Sequence, residues 1–153
     1  MEKTKIGVFG LGYVGLPLAL EFAKVFPTIG YDISQQRVSE INSGVDRTLE
    51  VDSEVLQSTS SDSGFKAACN SDDLRECNIY IVTVPTPIDK NNRPDLAPLI
   101  SASEIIGGIL SRGDIVIYES TVYPGATEED CVPILEAFSG LTFNQDFFCG
   151  YSP

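Results

Sequence analysis

Gly10-Leu11-Gly12-Tyr13-Val14-Gly15 follows the apolar run Ile6–Phe9, and Asp32 stands 22 residues beyond Gly10, at the end of a second such run. Three glycines at this spacing with a later acid are the parts from which a chain can bind a pyrophosphate-bridged dinucleotide. Gly10 permits the tight turn out of a first strand, Gly12 lets backbone approach a pyrophosphate, and Gly15 lets helix pack close to strand. The helix that starts here would aim its N–H groups and positive dipole end at the anion, so no lysine is required. Pro17 suits that helix's first turn, where a missing N–H costs nothing. Tyr13 and Val14 complete the loop. Asp32 would accept hydrogen bonds from the adenosine ribose hydroxyls and repel the extra phosphate of NADP, so the expected cofactor is NAD.

Glycine-rich turns also occur simply to connect strand to helix, and context separates the two cases. Thr28–Ile33 reads as a second strand and Ser34–Asn42 as a second helix, the places a βαβ unit requires. Strand-like runs recur at Lys5–Phe9, Thr28–Ile33, Phe65–Cys69, Asn78–Val84, Asp114–Glu119 and Asp146–Tyr151, with helical patterns between most of them. Right-handed crossovers turn this alternation into an α/β, Rossmann-type doubly wound parallel sheet of order 3-2-1-4-5-6, a three-layer αβα domain spanning 1–153. The polar region Gly44–Gly64 is the exception. It reads as an excursion with one short helix near Ser53–Ser58, and no chemistry is assigned to it.

Ligands in such sheets bind beyond the carboxyl ends of the strands, where strand order reverses. After the fourth strand, Thr83 leads into Val84-Pro85-Thr86-Pro87, in which two prolines stiffen a loop that offers a hydroxyl. After the fifth comes Glu119-Ser120-Thr121-Val122-Tyr123-Pro124-Gly125, a pair of hydroxyls ahead of a Pro-Gly turn. Each alone would be a turn with capping hydroxyls; together with the fingerprint they ring one crevice.

The 153 residues suit one well-packed domain, and the net charge of −12 argues against nucleic acid or an anionic membrane as partner. Histidine is absent, and Cys69, Cys77, Cys131 and Cys149 show no metal-binding spacing, so no metal is expected. The cysteines read as buried, reduced thiols of a cytoplasmic protein. Lys3 and Lys5 ahead of the apolar stretch Ile6–Leu20 imitate a signal peptide. The stretch is shorter than the roughly 20 residues of a membrane span, carries the patterned glycines, and runs into Glu21 and Lys24 without a small-residue cleavage site.

Gly10–Pro17 as GLGYVGLP, Val82–Pro87 as VTVPTP and Glu119–Gly125 as ESTVYPG resemble the UDP-glucose/GDP-mannose dehydrogenase family over the full chain. Ser139–Asp146, SGLTFNQD, and Gly150–Pro153, GYSP, are similar to the branch that oxidises UDP-N-acetylhexosamines in bacterial capsular and O-antigen pathways. The resemblance implies two successive NAD-dependent oxidations at C6 of a UDP-sugar, from alcohol through aldehyde and an enzyme-bound thioester to carboxylate. It implies that Asp32 holds the adenosine ribose and that Arg37 lies beside the adenosine; as residue chemistry alone, Arg37 is equally an exposed helix charge. Thr83, Val84, Pro85, Thr86, Ser120 and Thr121 would face the cofactor. Thr86 and Thr121 would contact its nicotinamide half, and Thr121 matches the family threonine that helps position a catalytic water. Tyr123 belongs to the branch pattern or simply packs in its loop.

In the resembling family the nucleophilic cysteine, its lysine partner and a catalytic glutamate lie beyond the position of Pro153, and none of the four cysteines here stands in the nucleophile's place. The resemblance therefore implies a cofactor domain of a longer homodimeric enzyme, able to bind NAD and turn over nothing by itself. UDP-glucose 6-dehydrogenase, a β-hydroxyacid dehydrogenase domain and a non-catalytic NAD-sensing module are the alternatives. The β-hydroxyacid enzymes share the fingerprint but not VPTP together with ESTVYPG.

Overall fold

The computed structural model of the chain describes residues 3–62, 64–119, 125 and 127–152. Six strands, β1 Ile6–Phe9, β2 Thr28–Tyr31, β3 Lys66–Ala68, β4 Ile79–Val82, β5 Ile115–Tyr118 and β6 Phe148–Tyr151, form one sheet. Its order is β3-β2-β1-β4-β5-β6 with every pairing parallel, as the sequence pattern predicts. Each observed strand lies inside its expected run and is shorter by one to three residues, because the flanking residues turn out of the ladder into loops.

The strands are apolar on both faces because helices cover both. Ile6, Val8 and Ile81 point to one side, where they pack with Leu16, Ala19 and Leu20 of α1 (Gly15–Ala23), Val38 and Ile41 of α2 (Gln35–Asn42) and Leu56 of α3 (Ser53–Asp62). Phe9, Tyr80, Val82, Val116 and Tyr118 point to the other, against Leu99, Ala102 and Ile106 of α4 (Ala97–Gly107) and Leu135 of α5 (Val132–Ser139). The two buried phenols on that side are satisfied: Tyr80 Oη donates to the Leu74 carbonyl at 2.9 Å, and Tyr118 Oη lies 2.7 Å from Ser103 Oγ. Ser34 caps α2 by accepting from Arg37 N at 3.2 Å.

Two expectations need correction. The helix near Ser53–Ser58 runs on to Asp62, and the excursion packs onto the domain through Leu56 and Asp46, both buried. An apolar seat for Leu56 on the α1–α2 layer holds the segment down. Nor are all four cysteines buried: Cys77 and Cys131 are, but Cys149 is half-buried and Cys69 exposed, because β3 ends at Ala68 on the sheet's edge. All four are free thiols.

Candidate cofactor-binding site

Strand order reverses between β1 and β4, and the crevice opens there. A cleft of about 840 Å³ is bounded by Phe9–Val14, by Tyr31, Asp32 and Ile33 after β2, and by Thr83–Thr86 after β4. Glu119 and one face of α4, formed by Pro98, Ser101, Ala102 and Ile105, complete it. A second hollow of about 510 Å³, between the end of α1 and α3, has no acid and no glycine turn among its lining residues.

The three fingerprint glycines have different reasons to be glycine. Gly10 has φ +101°, a backbone region that costs a side chain dearly. A Cβ on Gly15 would fall on the Gly10 carbonyl oxygen and lie 2.5 Å from Thr83 Oγ1, so the close approach it permits is to the turn as well as the strand. Gly12 is exposed on the cleft, and a Cβ there would meet nothing within 4 Å. Packing leaves Gly12 unexplained; a ligand that must come close to its backbone explains it.

The turn itself is tied from every side. Gly10 N donates to the Tyr31 carbonyl at 2.8 Å, and Thr83 Oγ1 lies 2.7 Å from the Gly10 carbonyl, spending its proton on the turn. Leu11, fully buried, packs on Gly30, where a Cβ would come within 2.6 Å of the Leu11 side chain. Leu11 N donates to Asp32 Oδ2 at 3.0 Å and Ser34 N to Oδ1 at 2.9 Å, so two backbone donors fix the half-buried Asp32 carboxylate at the cleft. Burial, with the Asp32 charge behind it, pushes the Tyr31 phenol on the cleft wall above its ordinary value.

Gly10, Gly12, Tyr13, Val14, Asp32, Thr83, Val84, Pro85 and Thr86 therefore stand on one cleft, with Gly15 directly behind it. Ser120, Thr121 and Tyr123 lie outside the described residues. Arg37 is not an exposed helix charge. Only 6% exposed, it donates from Nε to the Leu11 carbonyl at 2.7 Å and from Nη1 to Asp46 Oδ1 at 2.9 Å. Sequence reasoning missed Asp46 and the α4 wall. The wall had a signal in the helical spacing of Pro98, Ser101, Ala102 and Ile105; Asp46-Arg47-Thr48 had the composition of a side-chain-capped turn. No group of three or more His, Cys, Asp or Glu that could hold a metal occurs among the described residues.

A six-stranded parallel sheet with this crevice defines a Rossmann-type dinucleotide-binding domain. The chain belongs to the UDP-glucose/GDP-mannose dehydrogenase family, whose NAD binding domain matches residues 4–153. It is 61% identical over 153 residues to UDP-N-acetyl-D-glucosamine 6-dehydrogenase of Pseudomonas aeruginosa, covering 100% of this chain and 36% of that protein. Identity to the protein of the same name from Salmonella typhi is 54%, covering 100% of this chain and 35% of that one. The structure of UDP-D-ManNAc dehydrogenase from Pyrococcus horikoshii superposes with a TM-score of 0.91 at 37% identity, covering 98% of this chain and 36% of that one. The chain thus spans about a third of the length of these relatives. The family resemblance and the NAD cofactor expected from the motifs are both borne out.

Proposed function

We propose that this chain is the cofactor-binding part of a nucleotide-sugar dehydrogenase that oxidises C6 of a UDP-sugar to the uronic acid in two NAD-dependent steps. The substrate class is a UDP-N-acetylhexosamine, the product serves capsule or O-antigen polysaccharide, and the whole enzyme works in the cytoplasm as a homodimer. The names of the similar proteins support the substrate class. The observation that carries the cofactor role is the free space at Gly12 beside the fixed Asp32 carboxylate.

Gly10, Gly12, Tyr13, Val14 and Gly15 would cradle the pyrophosphate with backbone N–H groups at the start of α1. Asp32 would accept from both ribose hydroxyls, its geometry already set by Leu11 N and Ser34 N. Thr83, Val84, Pro85 and Thr86 would border the nicotinamide half, with Ser120 and Thr121 completing it and Thr121 orienting a water. NAD, when bound, supplies the hydride acceptor. No cysteine lines the cleft among the described residues, so no thiol is in place there to form a thioester, and the chain alone should bind cofactor without turnover.

Calorimetric titration of the 153-residue chain with NAD and, in parallel, NADP tests the reading. Saturable NAD binding is expected, with NADP at least about tenfold weaker. A folded chain that binds neither would remove it.

A further inference from the structure

Resting on the cofactor reading above, we propose that Glu119 sets a preference for oxidised NAD over NADH by placing a carboxylate at the nicotinamide end of the cleft.

Asp32 and Glu119 are the two acids among the described residues that line the cleft. Two backbone donors fix Asp32 where a ribose would bind. Glu119 has no such anchor. It is half-buried, and no salt bridge or side-chain hydrogen bond among the described residues engages it. A partly buried carboxylate without a partner is unfavourable, and in a cleft suited to a pyrophosphate it also repels the ligand. A cationic part of that ligand, brought beside Glu119, would offset both effects.

The sheet puts Glu119 where such a cation would lie. It follows β5, and its N–H donates to the Val82 carbonyl at 2.9 Å, level with the start of the Thr83–Thr86 loop. In the strand order, β1 and β4 lie between the Asp32 end and the Glu119 end, a separation of three strand spacings or roughly 14 Å. A dinucleotide crosses the strand ends with one nucleotide on each half of the sheet, so an adenosine ribose on Asp32 leaves the nicotinamide to the β4–β5 half. The oxidised nicotinamide ring is positively charged, and the ring is neutral once it has taken up a hydride. Glu119 therefore attracts the reactant form of the cofactor and not the product form. A unit charge within roughly 6 Å is worth about threefold in affinity at the dielectric of water and about a hundredfold at that of a protein surface. Two successive oxidations of one sugar require NADH to leave after the first and oxidised NAD to replace it, and a carboxylate that holds only the cation favours that exchange.

The test is titration of the wild-type chain and Glu119→Gln with oxidised NAD, NADH and ADP-ribose, which lacks the nicotinamide, with circular dichroism as the folding check. In Glu119→Gln oxidised NAD should weaken at least about threefold, while NADH and ADP-ribose stay within about twofold of wild type. If Glu119→Gln does not fold, Glu119→Ala should show the same selective loss. A folded variant with the wild-type ratio of NADH to oxidised NAD dissociation constants overturns the proposal, as does equal weakening of all three ligands, which would assign Glu119 to the shape of the cleft. A wild-type chain that binds neither oxidised NAD nor ADP-ribose overturns the cofactor reading itself; one that binds both, with the ratio unaltered in the variant, overturns this inference alone.

Discussion

Asp32 and Asp46 are the same chemical group, each fixed by backbone N–H donors and each tied to Leu11: Asp32 accepts from its N–H, and Asp46 holds the Arg37 guanidinium that donates to its carbonyl. Asp32 has two such donors, is half-buried and faces the cleft; Asp46 is sealed among five donors, one of them a guanidinium. A carboxylate with unfilled acceptor capacity toward open space is available to a ligand, whereas one whose acceptors are all used holds other parts of the chain in place. Exposure and the identity of the partners, not the residue type, divide the two roles.

The glycines divide in the same way and give the largest expected effect. Gly15→Val drives a side chain into the Gly10 carbonyl and should unfold the chain or lower its melting temperature by more than about 10 °C. Gly12→Val meets open space, so it should melt within about 2 °C of wild type while NAD affinity falls at least about tenfold. Equal melting losses in both variants would break the distinction between a glycine the fold needs and one the ligand needs.

For the two acids, Asp46→Ala leaves a buried guanidinium without its counter-ion and should cost about 3–5 kcal/mol in denaturant unfolding. Asp32→Ala frees two backbone donors near solvent and should cost about 1–2 kcal/mol, with weakened NAD binding and relaxed discrimination against NADP as its main effect. Unchanged affinity for both cofactors in that variant would remove its ribose role.

Acid sharpens the same comparison. The Asp46 carboxyl is depressed on folding, so its contribution to stability is present above its unfolded value of about 4 and is lost as pH falls through the lower folded value. Stability measured from about pH 5 down to pH 2 should therefore fall less steeply in Asp46→Asn than in wild type. Identical slopes would mean that the carboxylate gains nothing from its partners.

The smallest effect is a chemical label. Cys69 follows Ala68, whose carbonyl accepts from Asp32 N at 3.1 Å, and it is exposed. Burial pushes the Cys77 thiol up to about 11 and the Cys149 thiol up to about 12, and raises Cys131. At pH 8 a thiol reagent should modify one cysteine quickly, Cys69, with little loss of stability. Fast labelling of Cys77 or Cys131 as well would show that the core around them opens readily.

The sequence by itself determined the sheet order, the fingerprint and the cofactor, because these rest on short-range rules. Apolar runs set the strands, Gly-x-Gly-x-x-Gly sets the turn, and the acid closing β2 is placed by strand length. Strand ends were overestimated, since where a ladder stops depends on its neighbours: Val84 is apolar, but β4 ends at Val82, where its pairing with β1 and β5 stops. The alternative of Arg37 as an exposed helix charge followed from its type; its burial comes with the Leu11 carbonyl and with Asp46, near the start of the polar excursion. Only the tertiary structure decided that pairing and the α4 wall of the cleft. The wall brings Pro98 to Ile105 against the distant fingerprint turn, and the pairing spans only nine residues but closes across the turn that follows α2; both depend on how these segments settle on the sheet, which no local pattern encodes.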